Sequence, residues 1–346
     1  MKHQTTRYGE IPFYKIGTFG NTADAFISKK LFLEYKTKYS FPKKGDILIS
    51  ASGTIGRAVI YDGKPAYFQD SNIVWIDNDE TLVKNDFLFY AYSNVKWNTE
   101  HTTILRLYND NFRNTLIPLP PLNEQSAIAN ILSALDRYLY ALDALILKKE
   151  GVKKALSFEL LSQRKRLKGF NQTWQRVRLG DIANYLTSNL SAEQITQQGK
   201  IKVYDVNNFI GYTDTTFISD KPYISIVKDG SVGRVRILPP KTNILSTMGA
   251  LIANHRTTTE FLFYLLSNFD FKNFTSGSII PHIYFKDYKE KTIFLPPLNE
   301  QIAIANILSD LDNEITSLKN KKRQFENIKK ALNHDLMSAK IRVLEK

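Results

Sequence analysis

The sequence predicts an α+β chain with a pseudo-two-fold internal repeat. Two domains of mixed strands and short helices are separated by two long helices that pair as an antiparallel coiled coil. Three observations predict this. Residues 119–136, LPPLNEQSAIANILSALD, return at 295–312 as LPPLNEQIAIANILSDLD, with sixteen of eighteen positions identical at an offset of 176. Twice that offset is close to the 346 residues of the chain, so the repeat unit is about half the protein. After each copy the apolar residues keep a helical period; before each copy they come in short runs broken by turn residues.

Residues 1–118 form the first domain. They are rich in Tyr, Phe, Ile, Thr and Gly, with stretches such as GDILISASG and NIVWID separated by turn signals YDGK and DNDE. FLFYAYSN at 87–94 reads as a short helix and reappears as FLFYLLSN at 261–268, an offset of 174 that runs nearly in phase with the main repeat.

Residues 119–170 form the first long helix. Pro120 and Pro121 stop any earlier helix, Asn123 suits the N-cap, and Glu124 suits the positive end of the dipole. Ile128, Leu132, Leu135, Leu139, Leu142, Ile146, Val152, Leu156 and Leu160 then follow at 3–4 spacing. Residues 171–294 repeat the first kind of domain, and 295–346 the helix, with Ile304, Leu308, Leu311, Ile315, Leu318, Phe325, Ile328, Leu332 and Leu336 in the same phase. Each helix is expected to run for roughly 40 residues, roughly 60 Å. Two matched stripes in one chain are natural partners, set antiparallel by a two-fold. Their charged residues, Lys148, Lys149, Lys153, Lys154 and Arg164–Arg166 in one, Lys319, Lys321–Arg323, Lys329 and Lys330 in the other, are expected on the solvated faces.

Composition narrows the function. There are 47 Lys and Arg against 34 Asp and Glu, a net charge of +13, which favours a polyanionic partner such as nucleic acid. Cysteine is absent, so no disulfide framework or Cys-based zinc site exists, as expected of a cytoplasmic protein. No secretory h-region and no membrane-spanning apolar run is present.

A catalytic constellation is missing. There is no GxxxxGK[ST] loop, no HExxH, no Cys/His cluster among the five histidines, and no [DNS]PP[YF] tetrapeptide. GTIGR (53–57) and GSVGR (230–234) lack the following helix of a dinucleotide fingerprint and read as tight turns that each present an arginine. Glu34 and Lys36 form a nuclease-like Glu-x-Lys, a three-residue match of low specificity. The chain reads as non-catalytic.

The doubled L-P-P-L-N-E-Q heading a long helix resembles the specificity (S) subunit of type I restriction–modification systems. WQRVRLGDIA (174–183) is similar to the opening of a target-recognition domain of that family, and TSGSIIPHIYFKDYKEKTIFLPPLNEQ (275–301) to its close. The resemblance spans nearly the whole chain. It implies two target-recognition domains, each binding one half of a split double-stranded DNA target, with the helices setting the distance between halves. It also implies two methyltransferase (M) subunits docked on the near-identical stretches at Glu124, Gln125, Glu300 and Gln301, and restriction/translocase (R) subunits joined through the complex. No cofactor is expected in this chain; S-adenosylmethionine and ATP with Mg belong to the partner subunits.

Base-edge and phosphate contacts favour Arg, Lys, Ser and Thr on loops. In the first domain the candidates are Arg57, Thr102, Thr103, Arg106 and Arg113; in the second, Arg234, Arg236, Ser276, Ser278, His282 and Lys286, with a structural role the stronger reading for His282. Two rival readings are a coiled-coil scaffold without DNA sequence preference and a nuclease built on Glu34 and Lys36. Matching RYGEIPFYKIG (7–17) to QQGKIKVYDVN (197–207) leaves the first domain without a counterpart of WQRVRLGDIANYLTSNL. The first domain is therefore expected to be shortened at its start, with the longer stretch 29–52 in compensation.

Overall fold

In the computed structural model, residues 4–68, 72–97 and 106–343 are described. The chain forms two compact units, residues 1–143 with 320–346, and residues 144–319. The division falls inside both long helices. Each helix begins in the unit of the domain that precedes it and finishes in the other unit.

The first unit begins with β1 (Ile11–Tyr14), β2 (Ala25–Ile27), α1 (Lys29–Lys38), β3 (Ile47–Ser50), β4 (Ala58–Ile60), β5 (Tyr67–Phe68) and β6 (Ile73–Trp75). Helices α2 (Asn85–Asn94), α3 (Asn109–Arg113) and α4 (Leu122–Leu161) follow. The second unit adds β7 (Gln175–Arg178), β8 (Ala183–Thr187), β9 (Ile201–Tyr204), β10 (Phe209–Thr213), β11 (Tyr223–Val227), β12 (Val235–Leu238), β13 (Thr242–Ile244) and β14 (Met248–Ala253). It closes with α5 (Thr259–Ser267), β15 (Thr275–Ser276), β16 (His282–Ile283), α6 (Phe285–Tyr288), β17 (Thr292–Leu295) and α7 (Leu298–Met337).

The two units repeat one topology. Sheet β2-β1-β5 matches β10-β9-β13, each with one antiparallel and one parallel pairing. Sheet β4-β3-β6 matches three strands of β12-β11-β14-β8. The β11 stretch YISIV is buried throughout, as a strand covered on both faces must be. The fourth strand, β8, and the β7–β17 pair have no equivalent among the described residues of the first unit. The longer stretch 29–52 does not replace them: Phe32 of α1 packs on the β2-β1-β5 sheet with Ile11, Phe13 and Ile27.

Both long helices have 40 residues, matching the expected length. They start one residue before the expected cap, so Asn123 lies in the first turn and Pro121 O accepts the first helical bond, from Gln125 N at 2.9 Å. Within each unit a stretch of α4 runs antiparallel to a stretch of α7. Asp136 pairs with Lys329 and Asp143 with Lys322 in the first unit; Lys149 pairs with Glu314, Lys153 with Asp312 and Glu150 with Lys319 in the second. Five lysines that the helical wheel assigns to a solvated face are therefore ion-paired to the opposite helix. The cores follow the same plan. Phe87, Tyr90 and Ala91 of α2 meet Ile128 and Leu132 of α4 and Leu336 of α7; in the second unit Phe261 and Leu262 of α5 meet Ile304 and Leu308 of α7 and Leu160 of α4. Among the described residues no helix is long and apolar enough to cross a membrane.

Candidate nucleic-acid interface

Each unit carries a glycine-bounded turn between two antiparallel strands of one sheet. GTIGR joins β3 to β4, and GSVGR joins β11 to β12. Gly56 and Gly233 sit at φ 82° and 81°, and a side chain on either would run into Trp97 or Phe271 respectively. Strands follow both turns, so neither is the mouth of a phosphate-binding βαβ unit. The arginine that ends each turn is exposed and braced on the loop that joins two strands of the other sheet, β1 to β2 in the first unit and β9 to β10 in the second. Arg57 Nη1 donates to Phe19 O at 3.0 Å; Arg234 Nη2 donates to Asn207 Oδ1 at 3.0 Å. Arg236 adds a bond to Asn207 O at 2.9 Å and stacks its guanidinium over Tyr204. Three of the sequence candidates thus point outward from well-held backbones.

A second segment lies against each turn at the same place. In the first unit Arg106 bridges to Ser52, and Leu107 N donates to Ala51 O at 2.9 Å. In the second unit His282 bridges to Asp229, and Ile283 N donates to Lys228 O at 2.9 Å. Arg106 and His282 are therefore equivalent residues, which their chemistry alone does not suggest. His282 Nδ1 is 2.7 Å from Asp229 Oδ1, and Lys228 Nζ is 3.2 Å from Asp229 Oδ2. Burial works against ionisation of Asp229, but the bond from His282 and the Lys228 ammonium outweigh it and hold its carboxyl below the usual range.

Around His282 the hairpin β15–β16 exposes Ser276, which ends β15 opposite His282, and Ser278, Ile279 and Ile280 on its loop. Lys286, on α6, is exposed with its ammonium over Tyr284. Arg113 ends α3, exposed and within 3.7 Å of Asp110, and makes no hydrogen bond or ion pair with the Arg57 turn among the described residues. Thr102 and Thr103 lie outside the described residues. Asn207, Tyr204, Lys228 and Asp229 were not singled out from sequence. The recurrence of a turn beside a late loop is the one signal that points to them. Glu34 and Lys36, two residues apart on α1, project about 200° from each other around the helix and form no common site.

The four motif residues expected to face a partner are instead buried, at most 3% exposed. Gln301 Oε1 accepts from Thr258 N (3.1 Å) and Thr257 Oγ1 (2.9 Å), while its Nε2 donates to Arg256 O (3.0 Å) and Pro296 O (2.8 Å). Gln125 does the same work, accepting from Lys84 N and donating to Leu82 O and Pro120 O. Each glutamine staples the start of a long helix to the start of α2 or α5. Glu300 holds Arg166 through both oxygens and takes the Trp174 indole N–H at 2.9 Å; Glu124 holds Arg342 through both oxygens. The Arg342 guanidinium holds the Glu124 carboxyl below the usual range. Asp136 and Asp312 close the set by accepting from Tyr90 and Tyr264 hydroxyls. The two copies of the repeat thus make matching internal contacts.

A family profile described as the type I restriction modification DNA specificity domain matches residues 1–149 and again 171–327. The chain belongs to that family. A putative type I restriction enzyme specificity subunit of Haemophilus influenzae is 65% identical over 133 residues, which is 38% of this chain and 34% of that relative's length. The putative type I restriction enzyme MjaX specificity subunit of Methanocaldococcus jannaschii is 28% identical over 335 residues, 86% of this chain and 79% of its own. The crystal structure of the S subunit from M. genitalium aligns over 97% of this chain and 91% of its own with a TM-score of 0.63 at 20% identity, a likeness of fold. A structure titled for complex assembly and conformational transition of the type I R-M system aligns over 94% and 91%, TM-score 0.58 at 15% identity. Family membership makes this a DNA specificity protein of the type I restriction–modification class, and the family profile falls once on each half of the duplication.

Proposed function

We propose that this specificity chain reads a bipartite double-stranded DNA target, one half-site per unit. The observation that carries this is the duplicated reading head: an exposed arginine at the end of a glycine turn, flanked by a loop segment at the same register. Arg57 and Arg106 form it in the first unit; Arg234, Arg236, Ser276, Ser278 and Lys286 surround it in the second. His282 acts as the brace of the second head, and Arg113 contributes a phosphate contact in the first unit; Thr102 and Thr103 remain candidates from the sequence alone. Guanidinium and hydroxyl groups on such loops suit guanine edges, other base edges and phosphates.

Two methyltransferase subunits dock on residues that the repeat shares and leaves exposed. Leu122, Asn123 and Asn130 in one copy and Leu298, Asn299 and Asn306 in the other meet both conditions. Restriction subunits join through that complex in the cytoplasm, and S-adenosylmethionine and ATP with Mg act on the partners. The test is a binding selection from random duplex DNA by the chain with its methyltransferase subunit at fixed salt, because affinity falls steeply with ionic strength. Two motifs at constant spacing are the expected result. No enrichment from a folded complex overturns the reading in favour of a scaffold.

A further inference from the structure

The arginines of each reading head are held by a further element, the hairpin loop of the other sheet. In the second unit this is the loop from β9 to β10, and one residue of it serves two arginines. Asn207 Oδ1 accepts from Arg234 Nη2 at 3.0 Å, and Asn207 O accepts from Arg236 Nη1 at 2.9 Å. In the first unit it is the loop from β1 to β2. There Phe19 O accepts from Arg57 Nη1, and Gly20 lies against the same side chain: a Cβ on it would come within 3.5 Å of Arg57 Cδ.

The loop of the second unit is fixed from inside. Asp205 Oδ1 accepts from the N–H groups of Asn207 and Asn208, both at 2.7 Å, and Asp205 N donates to Asn208 O at 3.0 Å. A register shift between Phe209 and Gly211 offsets the tip from the rest of the hairpin, as bulges beside working surfaces do. The Arg236 guanidinium lies 5.3 Å from the centre of the Tyr204 ring, which Phe209 meets edge-on. The tip is therefore rigid and tied to both arginines.

Asn208 is exposed on this tip and is held only through its backbone; its carboxamide has no hydrogen-bond partner among the described residues. Asn21 occupies the matching place in the first unit. It follows Gly20, is exposed, is held by its N–H on Thr18 O at 2.9 Å, and likewise has an unpartnered carboxamide among the described residues. The two loops otherwise share little: KIGTFGNTAD at 15–24 against DVNN at 205–208. What recurs is an exposed amide next to the residue that touches the arginine. A carboxamide offers a donor and an acceptor side by side and pairs with N7 and N6 of adenine, while a guanidinium suits O6 and N7 of guanine.

We propose that Asn208 reads an adenine in the second half-site and Asn21 an adenine in the first, each through N6 and N7 in the major groove, beside the base taken by Arg234 or Arg57. This rests on the bipartite reading above and adds the base that each hairpin loop selects. The bracing supplies the adjacency. Asn207 ties Arg234 to the residue next to Asn208, so the two side chains reach neighbouring positions of one half-site.

The test repeats the duplex selection with the full chain and its methyltransferase subunit, for the unaltered chain, Asn208→Ala, Asn208→Asp and Asn21→Ala. Asn208→Ala should erase the preference for one adenine in one half of the target, with affinity for that site falling roughly tenfold or more and the other half untouched. Asn21→Ala should do the same in the opposite half. Asn208→Asp keeps the size and shape of the side chain and should move the preference at that position toward cytosine, whose N4 amine a carboxylate accepts. A duplex with 7-deazaadenine there lacks N7; the unaltered chain should bind it more weakly, and Asn208→Ala should not distinguish it from adenine. An unchanged motif with Asn208→Ala or Asn21→Ala overturns the inference for that residue and leaves the bipartite reading standing. So does loss of a whole half-site from a folded variant, which marks a structural role, or equal sensitivity of both proteins to 7-deazaadenine. No motif from the unaltered complex overturns both readings.

Discussion

His282 Nδ1 lies 2.7 Å from Asp229 Oδ1, and this bond ties the loop β15–β16 to the turn that presents Arg234. Burial opposes the charge on Asp229, while His282 and Lys228 favour it, so its folded value lies below the unfolded value of about 3.9. The native state therefore binds fewer protons, and the contribution is present above that value and is lost as pH falls through the folded one. Amide exchange at Ile283, whose N–H is held by Lys228 O, should accelerate over that acid range. Asp229→Asn should bring the acceleration to neutral pH; an unchanged rate would remove the brace from the account.

Gln301→Ala should weaken the fold and not merely a docked partner. The substitution leaves Thr258 N and Arg256 O in the interior without their partner, at about 1–3 kcal/mol for each group left unsatisfied. Denaturant unfolding should show a loss of that order, and Gln125→Ala a parallel loss in the first unit. A variant of full stability that fails only in methyltransferase binding would restore the partner-facing reading.

Glu300→Gln should be more costly than any substitution on the exposed helix faces. It removes the buried carboxylate that Arg166 and Trp174 share, and breaking a buried pair costs on the order of 3 kcal/mol. Trp174 emission, one of three tryptophans, should shift to the red as the N-terminal strand of the second unit loosens. Retained stability with unshifted emission would argue against the pairing.

Arg57→Ala and Arg234→Ala should each weaken DNA binding by about 1–3 kcal/mol with unfolding midpoints unchanged. Selection with each variant should blur one half of the target and leave the other half intact. Loss of both halves together from one substitution would contradict a division of reading between units.

Much of this architecture is written locally. The 3–4 spacing of apolar residues after each LPPLNEQ needs only the helical period to be recognised, and it yields both helix lengths to within a few residues. The duplicated sequence determines that there are two equivalent units. The glycines of GTIGR and GSVGR specify turns, because the backbone there takes a sign of φ that side chains resist.

The roles of individual polar residues are not local. Glu124 meets Arg342 across 218 positions, Glu300 meets Trp174 across 126, and Asp229 meets His282 across 53. A glutamate in the first turn of a helix looks like a dipole partner or a surface contact until the fold buries it against a guanidinium. The five paired lysines of α4 and α7 look solvated until the register of two antiparallel helices is known. By itself the sequence determined the repeat, the helices and the turns, since those rest on periodicity and backbone sterics. Only the tertiary structure decided which charges are internal and which arginines face outward, because burial is a property of contacts between distant segments.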